Sequence, residues 1–205
     1  MINARKVIPM SDGSAEITAD TVAPTILPDA FLSSDIANQA RAFALPSYEQ
    51  LPAIPLYRDQ LISFIDGCLA PLSNDKGSAS WITPSMVNNY VKMGLVTPPV
   101  KKQYGRDQIA VLLTVCLFKQ FLPISAIEQL LRIRQLTYSV DVAYDYVVRE
   151  VNNAVAAVFS SGEAADAQDS AHMVTRESLL VRCAANAFAS KAFLIAYLKF
   201  AGFEQ

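Results

Sequence analysis

From Arg106 to Phe121 the chain reads RDQIAVLLTVCLFKQF, and the ten residues Ile109 to Phe118 hold no charge and a single hydroxyl. A helix turns once in about 3.6 residues, so this run sends apolar side chains in every direction. A helix of that kind has no solvent face, and other elements have to surround it. Pro123 ends it, because proline lacks the amide that the next turn would use. A chain of 205 residues, 52% hydrophobic and 18% charged, has the material for such a core, in one medium domain or two small ones. That composition excludes a wholly disordered chain.

The flanking sequence also reads as helix. Between Leu56 and Leu72, the residues Leu61, Phe64, Ile65, Cys68, Leu69 and Leu72 recur at three and four, the spacing of one buried face. The polar stretch Ser73 to Ser80 reads as a loop. Thr83 before Pro84 is an N-terminal cap with proline in the first turn, and Gly94 reads as the residue just past the helix end. LVTPPVKKQY is too rich in proline for helix and suits a short wing or turn. Further helices are predicted over Ile124 to about Leu136, Tyr138 to Phe159 and Thr175 to Phe200, the last two separated by SSGEAADAQDS, a turn-rich acidic loop. The predicted fold class is all-α. Its divisions are residues 1–46, an arm loosely ordered or packed on the surface with a weak helical pattern near Ser34 to Phe43; residues 47–136, the central domain; and residues 137–205, a helical C-terminal region.

Several chemistries find no support. The glycine-rich phosphate loop, GxSxG, HExxH and CxxC are all missing. Cys68, Cys116 and Cys183 each sit in an apolar helical pattern and read as small buried hydrophobes. The one histidine, His172, lies in a polar stretch and reads as a solvated loop residue, so no metal, cofactor or catalytic residue is expected. Asp141 and Asp145 read as a solvated acidic first turn. The N-terminal residues show no secretory pattern, which places the protein in the cytoplasm. The last helix is interrupted by Arg182, Asn186 and Lys191, leaving no uncharged run of about 18 residues. It reads as a buried or subunit-interface helix and not as a membrane span.

Charge is unevenly placed. From Trp81 to Arg134 seven basic residues (Lys92, Lys101, Lys102, Arg106, Lys119, Arg132, Arg134) face two acidic ones, Asp107 and Glu128, in a chain of net charge −2. Contacts to phosphate are local and screened within about 10 Å, so segregated charge outranks net charge. On a helix through Thr83 to Met93, Ser85, Asn88, Asn89 and Lys92 share one face and Met86, Val87, Tyr90 and Val91 the other. That division describes any solvated surface helix, and it also suits a DNA groove. Asn pairs bidentately with adenine, and lysine meets guanine or phosphate. The sequel favours DNA, because Lys101, Lys102, Tyr104 and Arg106 follow immediately, where a wing would bring them to flanking phosphates. Ser85, Asn88 and Asn89 are the candidate base readers; Lys92, Lys101, Lys102, Tyr104 and Arg106 are the candidate phosphate contacts.

The order Thr83, Asn89-Tyr90, Gly94-Leu95, Pro98, Tyr104, Ile109 and Ile124-Ser125-Ala126-Ile127 resembles the DNA-binding domain of MerR-type regulators. More closely, LPSYEQLPAIPLYRDQLISFID together with MVNNYVKMGLVTPPVKKQYGRDQIAVL resembles a family of uncharacterised Gram-positive bacterial proteins described as a domain of unknown function, over roughly Leu45 to Leu136. The resemblance implies a MerR-like winged helix-turn-helix, with Leu56 to Leu72 and Thr83 to Met93 as its two helices. MerR proteins carry an Arg-Tyr pair where this chain has Asn88-Asn89, and neither their long coiled-coil helix nor their metal-binding loop is found here. The expected function is a non-catalytic, sequence-specific transcriptional regulator acting on double-stranded DNA. The alternative is a helical protein-interaction module that keeps the fold without DNA binding.

A homodimer is expected from the last helix. Phe188, Phe193, Leu194, Tyr197, Leu198 and Phe200 cover more of it than one core-facing stripe needs. The excess either packs under the N-terminal arm or meets a second copy.

Overall fold

The apolar run becomes the central helix of the structure, a computed structural model that describes residues 29–72, 80–161 and 174–201. Along the chain these form α1 (Asp29–Leu32), α2 (Asp35–Arg41), β1 (Leu56–Tyr57), α3 (Arg58–Leu69), α4 (Pro84–Lys92), β2 (Gln103–Tyr104), α5 (Arg106–Phe118), α6 (Ile124–Thr137), α7 (Val140–Ser161) and α8 (Arg176–Phe200). The described residues are mostly helical, as the sequence predicts, with β1 and β2 as one antiparallel two-stranded ribbon. Every residue of α5 from Gln108 to Phe118 is buried, and α3, α7 and α8 pack around it. Its lone hydroxyl, Thr114, is satisfied by donating to the Ala110 carbonyl at 3.0 Å.

Local chemistry sets the helix starts. Ser47, Tyr57 and Gly105 are each followed three residues later by a glutamine whose side-chain oxygen accepts their backbone N–H, at 2.8, 3.0 and 2.6 Å. This is half of a capping box, written three times with glutamine. The first predicted helix is correspondingly shorter than its periodicity, because Leu56 and Tyr57 pair with Tyr104 and Gln103 and Ala70–Leu72 tighten into a 3-10 turn around Pro71. The central helix stops at Phe118, three residues before the predicted end. Past it, Lys119 turns away and its ammonium donates to the Trp81 carbonyl at 2.9 Å. Burial holds that lysine below its ordinary pKa.

Three expectations are narrowed or corrected. Residues 29–46 are not loose: they pack against α7 and α8, the surface-packing alternative for the arm, while residues 1–28 lie outside the described residues. The Phe31 side chain is fully buried, edge-on to Phe193, Tyr197 and Phe200 with centroids 5.2, 5.2 and 5.4 Å away. Arg41 donates to the Phe159 carbonyl at 2.9 Å, closing an orphan acceptor in the last turn of α7. Asn152 of α7 offers its amide to both backbone groups of Leu45, at 2.9 and 3.3 Å. Secondly, Asp145 is no solvated acid, since it accepts the Tyr48 N–H at 2.7 Å. Thirdly, Cys183 is exposed and Cys68 only half-buried; Cys116 alone is buried. Desolvation pushes the Cys68 thiol to about 11 and that of Cys116 to about 12. His172 and most of both predicted polar loops fall outside the described residues.

One hydrophobic core runs through all of this, from Phe31 to Ala196 and across the expected boundary at Leu136. Helices α7 and α8 run parallel, with Tyr146 reaching Ser178 and Phe159 meeting Phe193 further along both. Among the described residues only one side of α8 is covered. Phe193, Tyr197 and Phe200 pack on Phe31, whereas Leu179, Leu194 and Leu198 remain exposed. Among the described residues α8 is the one helix long and apolar enough to cross a membrane, and 28% of that stretch is buried in the fold.

Candidate nucleic-acid interface

Helix α4 forms as its sequence dictates. The Thr83 hydroxyl accepts the Met86 N–H at 3.3 Å, and Pro84 occupies the first turn. At the other end Gly94 takes φ of +74°. Its N–H reaches the Val91 carbonyl and that of Leu95 the Tyr90 carbonyl, both at 3.0 Å, which is a Schellman stop. Asp66 of α3 holds the approach, accepting from the Ser80 hydroxyl at 2.5 Å and the Trp81 N–H at 2.8 Å. Val87 and Tyr90 are buried, while Ser85, Asn88, Asn89 and Lys92 are all exposed. The predicted division of faces is the observed one.

Beyond Gly94 the chain forms a hairpin. Val100 and Gln103 exchange both backbone hydrogen bonds, at 3.0 and 2.9 Å, with only Lys101 and Lys102 between them. These two lysines have φ of 50° and 65°, the only non-glycine residues with positive φ among those described. Left-handed backbone at both central positions defines a type I′ turn, which normally selects Asn-Gly. For a residue with a Cβ that conformation costs roughly 1–2 kcal/mol. Both lysines are exposed. The hairpin's outgoing strand pairs with β1, and its incoming arm is pinned by the buried Gln108, which donates to the Thr97 and Pro98 carbonyls at 3.0 and 2.8 Å.

Two candidate phosphate contacts are corrected. Tyr104 is buried beneath the hairpin, and desolvation raises its phenol pKa; an aromatic on the inner face of β2 has no access to a phosphate. Arg106 is committed inside the molecule. Its guanidinium pairs with Glu49 at 2.8 Å, donates to the Leu51 carbonyl at 3.1 Å and lies 5.8 Å from the Tyr48 ring. Beside it the Tyr48 hydroxyl donates to Asp107 at 2.5 Å, and that bond, with some burial, lifts the phenol to about 12. Residues 47–51 are thus strapped to the start of α5, a clasp that no local pattern announced. The basic surface is also narrower than the sequence count. Lys119 serves the core, Arg132 pairs with Glu128 at 2.7 Å, and Arg134 lines a cavity elsewhere. The ammonium groups of Lys92, Lys101 and Lys102 remain, with no ion pair or hydrogen bond among the described residues.

Sequence reasoning missed the exposed apolar residues of this region. Ile54, Tyr57 and Val100 are exposed, two of them on the paired segments of the hairpin sheet. Their signal was present in the unusual density of large apolar residues in a short turn-rich stretch.

A helical domain with a small antiparallel hairpin projecting between its fourth and fifth helices is the class that this geometry defines. The chain belongs to the family described as a domain of unknown function, DUF1836, whose pattern it matches over residues 46–154, just over half of its length. No curated protein and no solved structure matches it.

Proposed function

We propose that this protein is a non-catalytic, sequence-specific DNA-binding transcriptional regulator of the cytoplasm, with α3 and α4 as a MerR-like winged helix-turn-helix. Helix α4 reads bases through Ser85, Asn88 and Asn89; Lys92, Lys101 and Lys102 meet phosphates. The observation that carries this reading is the hairpin tip. Two lysines occupy backbone positions that Asn-Gly would fill with less strain, so what the turn retains is a pair of ammonium groups at its apex.

The dimer belongs to the same reading. Beyond Arg176, the exposed residues of α8 (Leu179, Cys183, Ala187, Ser190, Leu194, Leu198) follow one another at four, four, three, four and four, a spacing that reads the same in both directions. An antiparallel copy related by a two-fold axis sets Leu179 against Leu198, Cys183 against Leu194 and Ala187 against Ser190, the self-complementarity that an isologous interface requires. Two-fold dimers are also the usual way for helix-turn-helix proteins to span half-sites.

Footprinting on the DNA upstream of the protein's own gene, at two salt concentrations, tests the reading. A discrete footprint that weakens steeply with salt is expected; protection without sequence preference defeats base reading. A helical protein-interaction module is the second reading, and Tyr57 and Val100 favour it, since the hairpin sheet sets these exposed apolar residues next to the lysine turn. Under that reading no duplex binds at any salt concentration.

A further inference from the structure

We propose that the half-open cavity between α5, α6, α7 and α8 is a binding site for a small amphipathic anion, an aliphatic or aromatic body carrying one carboxylate. The cavity measures about 410 Å³ and is walled chiefly by apolar side chains, among them Val111 and Phe118 of α5, Leu131 of α6, Val147 of α7 and Val181 of α8. That volume lies at the small end of the range that holds small-molecule ligands, roughly 300–1,000 Å³.

The charge on the wall selects the ligand. Three ionisable side chains line the cavity besides its tyrosines: Arg134, Arg149 and Glu177. Glu177 is already occupied, accepting from the guanidinium of Arg176 at 2.9 and 2.5 Å. Arg149 lies 5.6 Å from the ring of Tyr146, in cation–π contact. The Arg134 guanidinium has neither hydrogen bond nor ion pair among the described residues; burial holds it below its ordinary pKa, against the opposing pull of the Asp107 carboxylate. A planar guanidinium with open donors at the edge of an apolar cavity matches a carboxylate bidentately. A cationic or neutral ligand of the same shape leaves those donors unmet. Ligand binding here stands apart from whether α4 meets DNA.

Displacement of the fluorescent probe 8-anilinonaphthalene-1-sulfonate from the full chain, by decanoate, decanol or decylamine, provides the test. Decanoate is expected to displace the probe at a concentration at least tenfold below decanol and decylamine. Arg134→Gln should raise the decanoate dissociation constant at least tenfold and leave that of decanol unchanged, with Arg134→Lys restoring part of the affinity. Ala143→Trp, which puts a large ring into the cavity wall, should block all three compounds. Equal binding of decanoate and decanol, an unaltered decanoate constant in Arg134→Gln, or no saturable probe binding at all would each overturn the assignment.

Discussion

Replacing Lys101-Lys102 by Asn-Gly separates what the hairpin tip does for the fold from what it does for a ligand. With φ of 50° and 65°, each lysine holds a conformation disfavoured by roughly 1–2 kcal/mol for a residue with a Cβ. Glycine relieves that strain but surrenders about 0.5–1 kcal/mol through the freedom it adds to the unfolded chain. Asparagine tolerates the left-handed region and relieves a part. The net expectation is a gain of about 1 kcal/mol, which in a chain of this size raises the melting temperature by about 2–4 °C. Binding should move the other way. Each phosphate left unmet lowers the slope of log affinity against log salt by about 0.9, so two lower it by about 1.8 and weaken binding roughly 30-fold at 0.15 M salt. Thermal melting by circular dichroism and fluorescence anisotropy over a salt series measure the two effects on one sample. Lys101→Ala combined with Lys102→Ala is the companion, because alanine keeps the strain while removing the charge: affinity should fall without the gain in melting temperature. An Asn-Gly variant that melts no higher than the native chain refutes the strained turn, and one that binds with an unchanged slope refutes the wing.

Asn88→Ala and Asn89→Ala should each weaken a specific site by about 1–3 kcal/mol wherever the amide pairs bidentately with a base, with melting unchanged because both side chains are exposed; equal weakening on random duplex, measured by competition, would count against base reading. Leu194→Glu places a charge in the exposed stripe of α8, and light scattering at micromolar concentration is expected to find a dimer for the native chain and a monomer for the variant; a native monomer removes the α8 interface. Tyr48 supplies a pH test. Its phenol is held protonated up to about 12 against an ordinary 10.0, chiefly by its hydrogen bond to Asp107. The neutral form is favoured in the fold, so that stabilisation is complete below pH 10 and drains away as pH rises towards 12. Urea midpoints should fall more steeply over that interval in the native chain than in Tyr48→Phe, and matching slopes would show the bond to be without effect.

The helices were legible where one side chain's chemistry decides them. Thr83, Pro84 and Gly94 bound α4 from sequence because cap, first turn and left-handed stop each act within a few residues. The run Ile109 to Phe118 announced its own burial. The hairpin was half legible: its prolines and lysines marked a wing, but no Asn-Gly declared the turn, and Tyr104 looked like one more exposed aromatic beside basic residues. Alternation over a two-residue strand is too short to reveal which side faces in. Arg106 misled for the opposite reason, because its partners Glu49 and Leu51 lie more than fifty residues away. Phe31 was illegible in the same way. Amid prolines and serines it reads as part of an arm, and only the distant ring cluster of α7 and α8 gives it a socket. The cavity depends on four helices and has no local signature, although Arg134 near the end of an apolar pattern was its one trace.

The strap formed by α1, α2 and Leu45 sets an order on folding. Its hydrogen bonds to α7 close loops of 118 and 107 residues. Closure entropy grows only logarithmically with length, about 0.6 kcal/mol for each doubling, so the equilibrium barely registers the distance. The rate does, because non-local contacts form after local ones. Contact separation therefore predicts that α5 and α7 meet first and that the strap docks afterwards. Before it docks, Phe159, Phe188 and Phe193 would lack the cover that Phe31 and Phe43 give them in the fold, leaving those rings more exposed in a nascent chain. On that order the strap, made before the helices it docks on, would be the last part of the described fold to find its place.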